Sequence, residues 1–590
     1  MFAKVLVANR GEIAIRVFRT LREMGIASVA VYSEVDRDAL FVRHADEAYL
    51  LGPGPASESY LNVPRILEVA REAGAEAVHP GYGFLAENAG FARALGEAGV
   101  VWIGPPPDAI DAMGSKTGAR ALMAAAGVPI VPGVTDPVPD VAAARPIAQE
   151  IGYPVAVKAA AGGGGKGFRV ALSAEELPDA FEGARREGER FFADGTVYLE
   201  RYLPQPRHVE IQILADSQGS CVWLGERDCS VQRRHQKLVE ETPSPVVGDE
   251  LRARMGEASV RAAQAVGYTS AGTLEYLVSG DEFFFLEMNT RIQVEHTITE
   301  MTTGIDLVRE QVRVADGEPL SVAQGDIDPR GHAFECRINA EDASARFLPS
   351  PGLITAYREP AGPGVRVDSG VRAGSAIAEI YDPMIAKLIV WDVDREAARR
   401  RMIRALDEYV VEGPATLIPF HRWLLSQDEF IAGGACHAAL ARMSEEPTPI
   451  PAPGGLSLPA DEAPDEGPRA ERRFTAEVGG RRFEVTLHYA EGQGSADGGV
   501  AAPRRARRAR ASAGAGGGAV PEVVSTPMQG TVLRVLVEVG QEVGAGDVVC
   551  IVEAMKMENE VAAHQPGVVR ELHVAEGQAV QADEAIAIIS

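Results

Sequence analysis

The segment FFFLEMNTRIQVEH carries a polar side chain at every second position: Glu287, Asn289, Arg291, Gln293 and Glu295. Alternate residues of an extended strand share one face, so the spacing predicts that all five line one surface. The opposite face is predicted to carry Leu286, Met288, Ile292 and Val294. Carboxylate and amide oxygens suit Mg²⁺, which takes one or two protein carboxylates together with phosphate oxygens. The alternative is an ordinary solvated strand face, but two glutamates with Asn, Gln and Arg favour a functional site.

Glu275 precedes this strand across the turn signal Ser279–Glu282. A three-residue loop would set Glu275 opposite Glu287, whereas a two-residue loop would place the two side chains on opposite faces. If the two carboxylates share a cation, the hairpin must therefore have an odd loop or carry a bulge.

A glycine-rich loop, GGGGKG, follows the apolar run YPVAVKAA. It matches GxGxxG only formally, and it is not a Walker A motif because Gly167 follows Lys166. Backbone N–H groups of such a loop can close over phosphates, although an ordinary hairpin loop is the alternative.

Lysine is scarce: seven of the 58 basic residues are lysines. A compact ammonium or a reactive amine is not replaced by arginine, so each lysine is a candidate for chemistry. Lys158 and Lys166 lie in the run YPVAVKAA and the glycine loop, and Lys116 lies in MGSKT. Two further segments are RHVEIQ and QRRHQK, the second of which ends in Lys237. Those segments add His208, Glu210, Gln232 and His235. A single histidine here would more often be structural, but the cluster predicts a site for phosphates and a small anion. Lys4 and Lys387 fall in no motif.

Composition excludes several classes of protein. The chain has 590 residues and a formal charge of −26, which argues against a general nucleic-acid-binding surface. No run of 18 apolar residues predicts a membrane span, and the N-terminus does not resemble a signal peptide. The five scattered cysteines form no disulfide framework or zinc pattern. We expect a cytoplasmic protein of roughly four domains.

Strand and helix signals alternate in the N-terminal third. The apolar runs Lys4–Ala8, Ala75–Val78 and Val100–Ile103 predict parallel strands of an open α/β sheet, and Ile13, Val17 and Leu21 predict a helix face. Residues 448–470 and 491–519 have linker composition. Between them, Gly479-Gly480 predicts a small hairpin. The basic run Arg504–Arg510 is interpreted as a solvated tether, with docking on an acidic face as the alternative.

The last 70 residues contain an internal repeat. GTVLRVLVEVGQEV begins at Gly530, and GVVRELHVAEGQAV begins 37 residues later at Gly567. Two matching halves of short strands predict a small β domain with two-fold character. The segment EAMKMENE between the halves presents Lys556, which indicates a modified lysine.

Several of these segments resemble one family. HPGYGFLAENAGFA, VAVKAAAGGGGKG, RHVEIQ, RRHQK, EMNTRIQVEH and ECRINAED resemble the biotin carboxylase branch of the ATP-grasp ligases. EAMKMENE resembles the biotinyl attachment motif of carrier domains; a lipoyl lysine usually follows Asp, so Met555 and Met557 favour biotin. The fused order resembles the α subunits of bacterial acyl-CoA carboxylases of the acetyl- and propionyl-CoA type.

The resemblance implies a multidomain α/β protein. Its parts would be an open α/β pre-ATP-grasp domain (1–114), an ATP-grasp domain (115–330) and an α+β biotin carboxylase C-terminal domain (331–447). A flexible linker (448–520) with a possible hairpin at 472–487 and an all-β, lipoyl-like hammerhead biotinyl domain (521–590) would follow. Many related α subunits carry an extra β-rich docking domain where this chain has the linker, which leaves the mode of partner contact open.

The resemblance also implies residue roles. ATP would be contacted by Lys116, Lys158, Gly164, Gly165, Glu200, Leu203, His208, Gln232 and His235. Mg²⁺ or Mn²⁺ would be held by Glu275, Glu287 and Asn289. Bicarbonate would be bound by Lys237, Arg291, Gln293 and Val294, and Glu295 would remove its proton. Phosphorylation by ATP would then give carboxyphosphate, which supplies CO2 to the biotin on Lys556 while Arg337 stabilises the biotin enolate.

The same resemblance implies partners. Because no carboxyltransferase segment is present before Ser590, a separate carboxyltransferase β subunit is expected to pass the carboxyl group to an acyl-CoA. Pyruvate and methylcrotonyl-CoA are the alternative acceptors. Biotin protein ligase would attach biotin, and a homo-oligomer within a hetero-oligomeric complex is expected, without nucleic acid or membrane as partner.

Overall fold

The N-terminal region forms the parallel sheet that its apolar runs predict. In the computed structural model, the residues described are 1–134, 137–159, 167–192, 195–234, 236–445, 449–450, 469–478, 481–490, 523–526, 530–554, 557–581 and 584–590. The first sheet has the order β3-β2-β1-β4-β5, with all neighbours parallel. Its strands are β1 (Lys4–Val7), β2 (Ala27–Ser33), β3 (Glu47–Gly52), β4 (Ala77–His79) and β5 (Val101–Trp102). Its helices are α1 (Gly11–Glu23), α2 (Leu40–His44), α3 (Val63–Ala73), α4 (Ala89–Glu97) and α5 (Pro107–Gly114).

Both faces of this sheet are buried, as expected for parallel strands covered by helices. Val5 and Val7 pack with Ile13, Val17 and Leu21 of α1 on one side. Leu6, Val29 and Val31 pack with Ile66 and Val69 of α3 on the other. The predicted open α/β sheet is therefore confirmed, and its loops reach towards the site described below.

A three-stranded antiparallel sheet comes next, in the order β7-β6-β8. Its strands are β6 (Val155–Ala159), β7 (Phe168–Ala171) and β8 (Val197–Arg201), and the helices are α6 (Lys116–Ala125), α7 (Val141–Ile151) and α8 (Leu177–Phe192). This sheet has a core of its own, built on Val155, Val157 and Leu199. The glycine loop lies between β6 and β7, and its residues 160–166 are outside the described residues.

An eight-stranded antiparallel sheet holds most of the site, in the order β13-β12-β9-β10-β11-β14-β21-β19. Its strands are β9 (Arg207–Ala215), β10 (Cys221–Arg233), β11 (Gln236–Thr242), β12 (Ser270–Ser279), β13 (Glu282–Asn289), β14 (His332–Asn339), β19 (Val365–Ser369) and β21 (Met384–Asp392). The helices between them are α9 (Asp249–Ala265), α10 (His296–Thr303) and α11 (Leu307–Ala315). Because β11 pairs with β14, this sheet contains strands from both sides of residue 330, the predicted domain boundary.

Short strands and helices complete the carboxylase part. They are β15 (Glu341–Asp342), β16 (Leu348–Pro349), β17 (Gly352–Leu353), β18 (Ala356–Arg358), β20 (Ala376–Ile377), α12 (Arg395–Glu408), β22 (Val410–Glu412), α13 (Ile418–Leu425), α14 (Asp428–Ile431) and α15 (His437–Glu445). Separately, β23 (Arg469–Val478) and β24 (Arg481–Ala490) form an antiparallel hairpin around Gly479-Gly480. Among the described helices, none is long and apolar enough to cross a membrane.

The C-terminal β domain repeats itself as the sequence predicts. Its strands are β25 (Val523–Ser525), β26 (Gly530–Val535), β27 (Glu542–Val543), β28 (Val548–Ala554), β29 (Met557–Ala562), β30 (Gly567–Leu572), β31 (Ala579–Val580) and β32 (Ala585–Ile589). They form two four-stranded sheets, β25-β32-β30-β27 and β29-β28-β26-β31. A shift of 37 residues maps β26, β27 and β28 onto β30, β31 and β32, and it exchanges the two sheets. The two halves are therefore related by a pseudo-two-fold axis. Lys556 comes between β28 and β29 in the sequence and is outside the described residues.

Candidate active site

The hairpin of β12 and β13 brings two carboxylates face to face. Ser279 pairs with Glu282 across a two-residue turn, so the three-residue loop considered from the sequence is wrong. The register shifts between Tyr276 and Glu275, which leaves Leu286 as the extra residue of a bulge and sets Glu275 opposite Glu287. The bulge alternative is the one that the structure adopts. Leu286 is 42% exposed, whereas Met288 and Ile292, which were predicted to share its face, are buried.

The polar segment does not continue as a strand, because β13 ends at Asn289. The prediction of one extended face through Glu295 is therefore wrong, since a loop and the start of α10 follow. Arg291 Nε instead lies 2.9 Å from Glu87 Oε2, and its Nη2 donates to Asn289 Oδ1 at 2.9 Å. The turn nevertheless returns Gln293 to the site, where its Nε2 donates to Glu275 Oε1 at 2.8 Å.

Lys237 of β11 is the centre of a group of carboxylates. Its Nζ lies 2.5 Å from Glu210 Oε2, 2.9 Å from Glu275 Oε1 and 2.5 Å from Glu295 Oε1. On the far side of Glu275, His208 Nε2 lies 2.8 Å from Oε2. Strands β9, β11 and β12 and the turn before α10 therefore meet at one ammonium whose three protons all have acceptors.

Neighbouring charges determine the protonation states of Glu295 and Lys237. Burial alone would raise the pKa of Glu295, but the charges of Lys237, Arg337 and Arg227 outweigh it and hold the pKa well below its usual range. Burial lowers the pKa of Lys237, and Glu210 and Glu295 more than reverse this. Both groups are consequently charged at neutral pH, and Glu295 can accept a proton only when an incoming anion takes over part of its cation contacts.

Arg227, which the sequence analysis did not single out, is the main support of this group. It is fully buried on β10, and its Nε lies 2.6 Å from Glu210 Oε1. The two Nη atoms make four further bonds, to Gln212 Oε1 (2.7 Å), Thr299 Oγ1 (3.1 Å), Thr273 Oγ1 (3.2 Å) and Gln293 Oε1 (2.6 Å). The available signal was the charged run Glu226-Arg227-Asp228 directly after the start CVWLG of the strand, because charges are rarely fully buried unless they are paired.

Arg337 of β14 joins this group to a second set of residues. Its Nε lies 2.6 Å from Glu240 Oε1, and its Nη2 lies 3.0 Å from Glu295 Oε2. Lys387 of β21 is opposite Arg337 in the register, and its Nζ donates to the Val294 carbonyl at 2.7 Å. Lys387, which fell in no motif, thus supports the turn that carries Val294.

Arg337 and Arg291 open into a cavity of about 280 Å³. The cavity is also lined by Val294 and by residues of the N-terminal region, among them Arg10 and Tyr82. Tyr82 donates a short hydrogen bond to Glu12, another lining residue. Of the predicted bicarbonate-binding and catalytic residues, Arg291, Val294 and Arg337 thus lie at the wall of a space that a small ring system could enter.

The described members of the predicted nucleotide set lie on several elements of the fold. Lys158 of β6 forms a short ion pair with Glu200 of β8, and Leu203 is buried against Val131 and Phe284. Gln232 donates to the Cys229 carbonyl at 2.7 Å, and Lys116 is the first residue of α6. Gly164, Gly165 and His235 lie outside the described residues, as does the Lys116 side chain. A second cavity, of about 250 Å³, is lined by Glu87, Met113, Glu287 and Asn289.

Comparisons with known proteins agree with this arrangement. Four family descriptions match in chain order: "Biotin carboxylase, N-terminal domain" (1–110), "Carbamoyl-phosphate synthase L chain, ATP binding domain" (115–323), "Biotin carboxylase C-terminal domain" (335–442) and "Biotin-requiring enzyme" (522–589). The chain is 48% identical over 585 residues to the biotin-dependent acyl-coenzyme A carboxylase alpha3 subunit of Mycobacterium leprae, covering 98% of this chain and 97% of that protein. The chain belongs to the biotin carboxylase family.

Two further relatives match the carboxylase part of this biotin carboxylase. A pyruvate carboxylase subunit from Methanothermobacter thermautotrophicus is 56% identical over 433 residues, 73% of this chain and 88% of that protein. A crystal structure of the biotin carboxylase domain of Hydrogenobacter thermophilus 2-oxoglutarate carboxylase, with MgADP and bicarbonate, has a TM-score of 0.68 and 47% identity. It covers 75% of this chain and 98% of that one.

The biotin carboxylase is an ATP-grasp ligase with a fused carrier domain, and it uses ATP and biotin. The Hydrogenobacter structure contains Mg²⁺ with its ADP. The oxygen donors at the bulge fit the metal: Glu275 faces Glu287 across the strands, and Asn289 is hydrogen-bonded to Glu275 at 2.8 Å. Mg²⁺ bound there would neutralise charge on the phosphate oxygens of ATP.

Proposed function

We propose that this biotin carboxylase serves an acyl-CoA carboxylase. It would carboxylate the biotin on its own Lys556, and a separate carboxyltransferase β subunit would pass the carboxyl group to acetyl-CoA or propionyl-CoA. The observation that carries the proposal is the match, from one end of the chain to the other, with a relative named as an acyl-CoA carboxylase subunit. The pyruvate carboxylase relative aligns with 73% of the chain.

The contacts support specific roles for the polar group. Bicarbonate would bind to Lys237, Arg291, Gln293 and Val294, and its negative charge would replace carboxylate contacts of Lys237. Glu295, 2.5 Å from Lys237 Nζ, would then be released to take the bicarbonate proton. Arg337, which borders the cavity, would stabilise negative charge that develops on the biotin ring.

ATP would occupy the region between the small sheet of β6–β8 and the large sheet. Lys116, Lys158, Gly164, Gly165, Glu200, Leu203, His208, Gln232 and His235 would contact it. Lys158 is paired with Glu200, so a phosphate of an entering nucleotide would replace Glu200 as its ionic partner. Glu200 would keep Arg120 Nη1, which lies 3.9 Å from its Oε2.

The carrier role is tested by the mass of the intact chain. Wild type co-expressed with a biotin protein ligase should gain the mass of one biotin less one water, and Lys556→Arg should gain none because a guanidinium does not form the biotinyl amide. A biotin found on Lys556→Arg would refute the assignment.

The acceptor is tested with the partner subunits that co-purify with the full chain. ATP- and bicarbonate-dependent turnover should require acetyl-CoA or propionyl-CoA, and pyruvate should give none. Turnover with pyruvate or methylcrotonyl-CoA alone would overturn the acyl-CoA assignment while leaving biotin carboxylation intact. Size measurements on the same preparation would test the expected hetero-oligomer.

A further inference from the structure

One face of three neighbouring strands carries charged side chains behind Arg337. Glu240 of β11 is the register partner of Glu335 of β14, and Arg337 lies two residues further along the same face. Lys387 of β21 continues the row on the other side of Arg337. Helix α10 packs over this face through Thr297, whose hydroxyl donates a short hydrogen bond to Glu335 Oε2.

Each of the two carboxylates has one oxygen left over. Glu240 Oε1 accepts from Arg337, whereas Oε2 is buried and has no hydrogen-bond partner among the described residues. Glu335 likewise uses Oε2 for Thr297, and its Oε1 is buried without a partner in the same part of the chain. Both side chains are fully buried. Directly opposite residues on antiparallel strands have Cβ atoms about 5 Å apart. Two ionised carboxylates here would therefore repel each other, because their buried surroundings solvate charge poorly.

Cations and a third carboxylate face the two carboxylates. Glu335 faces Lys387, Arg337 and Thr297, and Glu240 faces Arg337, Glu295 and Lys237. Tyr82, His296 and the thiols of Cys229 and Cys336, which lie near the row, are neutral at pH 7, because burial raises the pKa of Tyr82, Cys229 and Cys336 and lowers that of His296. Burial also raises the pKa of Glu240 to about 7 and that of Glu335 to about 8.

We propose that Glu240 and Glu335 share one proton between their unpartnered oxygens and that this carboxyl pair positions Arg337 for the biotin step. The inference rests on the proposed function, since it assigns the pair to the residue that faces the biotin ring. In the singly protonated pair, Glu240 holds Arg337 Nε and Glu295 holds Nη2, which keeps the guanidinium at the wall of the cavity. Loss of the shared proton adds a second negative charge beside Arg337, which draws the guanidinium back and opposes the charge that develops on the ring.

The test is the pH dependence of biotin-dependent ATP cleavage by the full chain, with free biotin as substrate. For wild type, kcat/KM for biotin should fall as the pH rises through about 8, where the pair loses its proton. In Glu335→Gln a fixed amide donates to Glu240, so activity at pH 7 should stay within about tenfold of wild type. The basic fall should then move to higher pH by about one unit or more.

Glu240→Gln tests the positioning role directly. Arg337 loses its ion pair with Glu240 and keeps the one with Glu295, so KM for biotin should rise about tenfold or more while KM for ATP is unchanged. Glu241→Gln is the matched control: Glu241 is the next residue on β11, buried against His332 and Arg395, and its variant should keep the wild-type pH profile.

Three results would overturn the inference: an unchanged basic fall in Glu335→Gln, an unchanged KM for biotin in Glu240→Gln, or a shifted profile in the control. If a variant does not fold, infrared difference spectra of wild type between pH 7 and 9 still test the inference. The shared proton predicts that a protonated-carboxyl band is lost over this range, and spectra without that loss would refute it. Wild type without biotin-dependent ATP cleavage would instead refute the proposed function.

Discussion

Arg227→Met should destabilise the carboxylase region strongly. The wild-type guanidinium makes five hydrogen bonds while fully buried, and one of them is an ion pair with Glu210 at 2.6 Å. Removing one partner of a buried ion pair costs about 3–5 kcal/mol, because the other charge stays in a medium that solvates it poorly. Methionine fills similar volume, so the loss measures the polar contacts rather than a cavity.

Thermal unfolding is the assay. At about 2 cal/mol/K of unfolding entropy per residue, a cooperative region of about 450 residues loses about 1 °C per kcal/mol, so the midpoint should fall by about 3–5 °C. Biotin-dependent ATP cleavage should fall about 10–100-fold, since Gln293 and Glu210 lose the group that orients them. Arg93→Met is the control, because Arg93 pairs with Asp108 and Asp111 at the surface, where water screens the charges. If both variants melt with wild type, the reasoning about Arg227 is refuted.

Four other substitutions probe the fold and the site. Lys237→Arg should lower biotin-dependent ATP cleavage about 10²-fold, since a planar guanidinium does not reproduce three bonds from one nitrogen; near-normal turnover would refute this. Gly256→Ala should cost about 1–3 kcal/mol in urea unfolding, because its Cβ would overlap the Trp223 ring, whereas Gly96→Ala, in open space on α4, should stabilise by about 0.5–1 kcal/mol. Burial lowers the pKa of His421 to about 4. The contribution of the neutral imidazole to the free energy of unfolding is complete above the unfolded pKa of about 6.5 and is lost as the pH falls towards 4. At pH 5, His421→Asn should therefore remove about 2 kcal/mol of the destabilisation that acid causes in wild type.

The C-terminal domain could be predicted closely because its information is local. Each half carries its own strands and turns, so a shift of 37 residues along the sequence already gives the correspondence of β26 with β30 and of β28 with β32. The same holds for the parallel strands β1, β4 and β5, whose apolar runs are bounded by turn residues. In both cases, neighbouring residues specify the element, and the fold only has to bring the elements together.

The site could be predicted in composition but not in geometry. The alternation from Glu287 to Glu295 found the right side chains, yet the strand ends at Asn289 and the later residues reach the site through a turn. Arg227 and Glu240 were missed because their partners lie on other strands, and a pairing register between distant segments is not contained in either segment. Even the face of Glu287 depends on one extra residue, Leu286, which no local pattern distinguishes from its apolar neighbours.

Arginine and lysine have different roles at this site. Arg227 spreads five bonds over a rigid plane and reaches four different elements, which suits a group that must never move. Lys237 places three bonds on one nitrogen, each to a different carboxylate, so any one of them can be exchanged for a bicarbonate oxygen while two remain. A site that must admit and release an anion at every turnover needs the second kind of contact. Arginine supplies nearly all the positive charge of this chain, so a lysine at position 237 is explained by the need to exchange a carboxylate for bicarbonate. Lys387, which donates to the Val294 carbonyl, likewise makes its contact from a single nitrogen at the wall of the cavity.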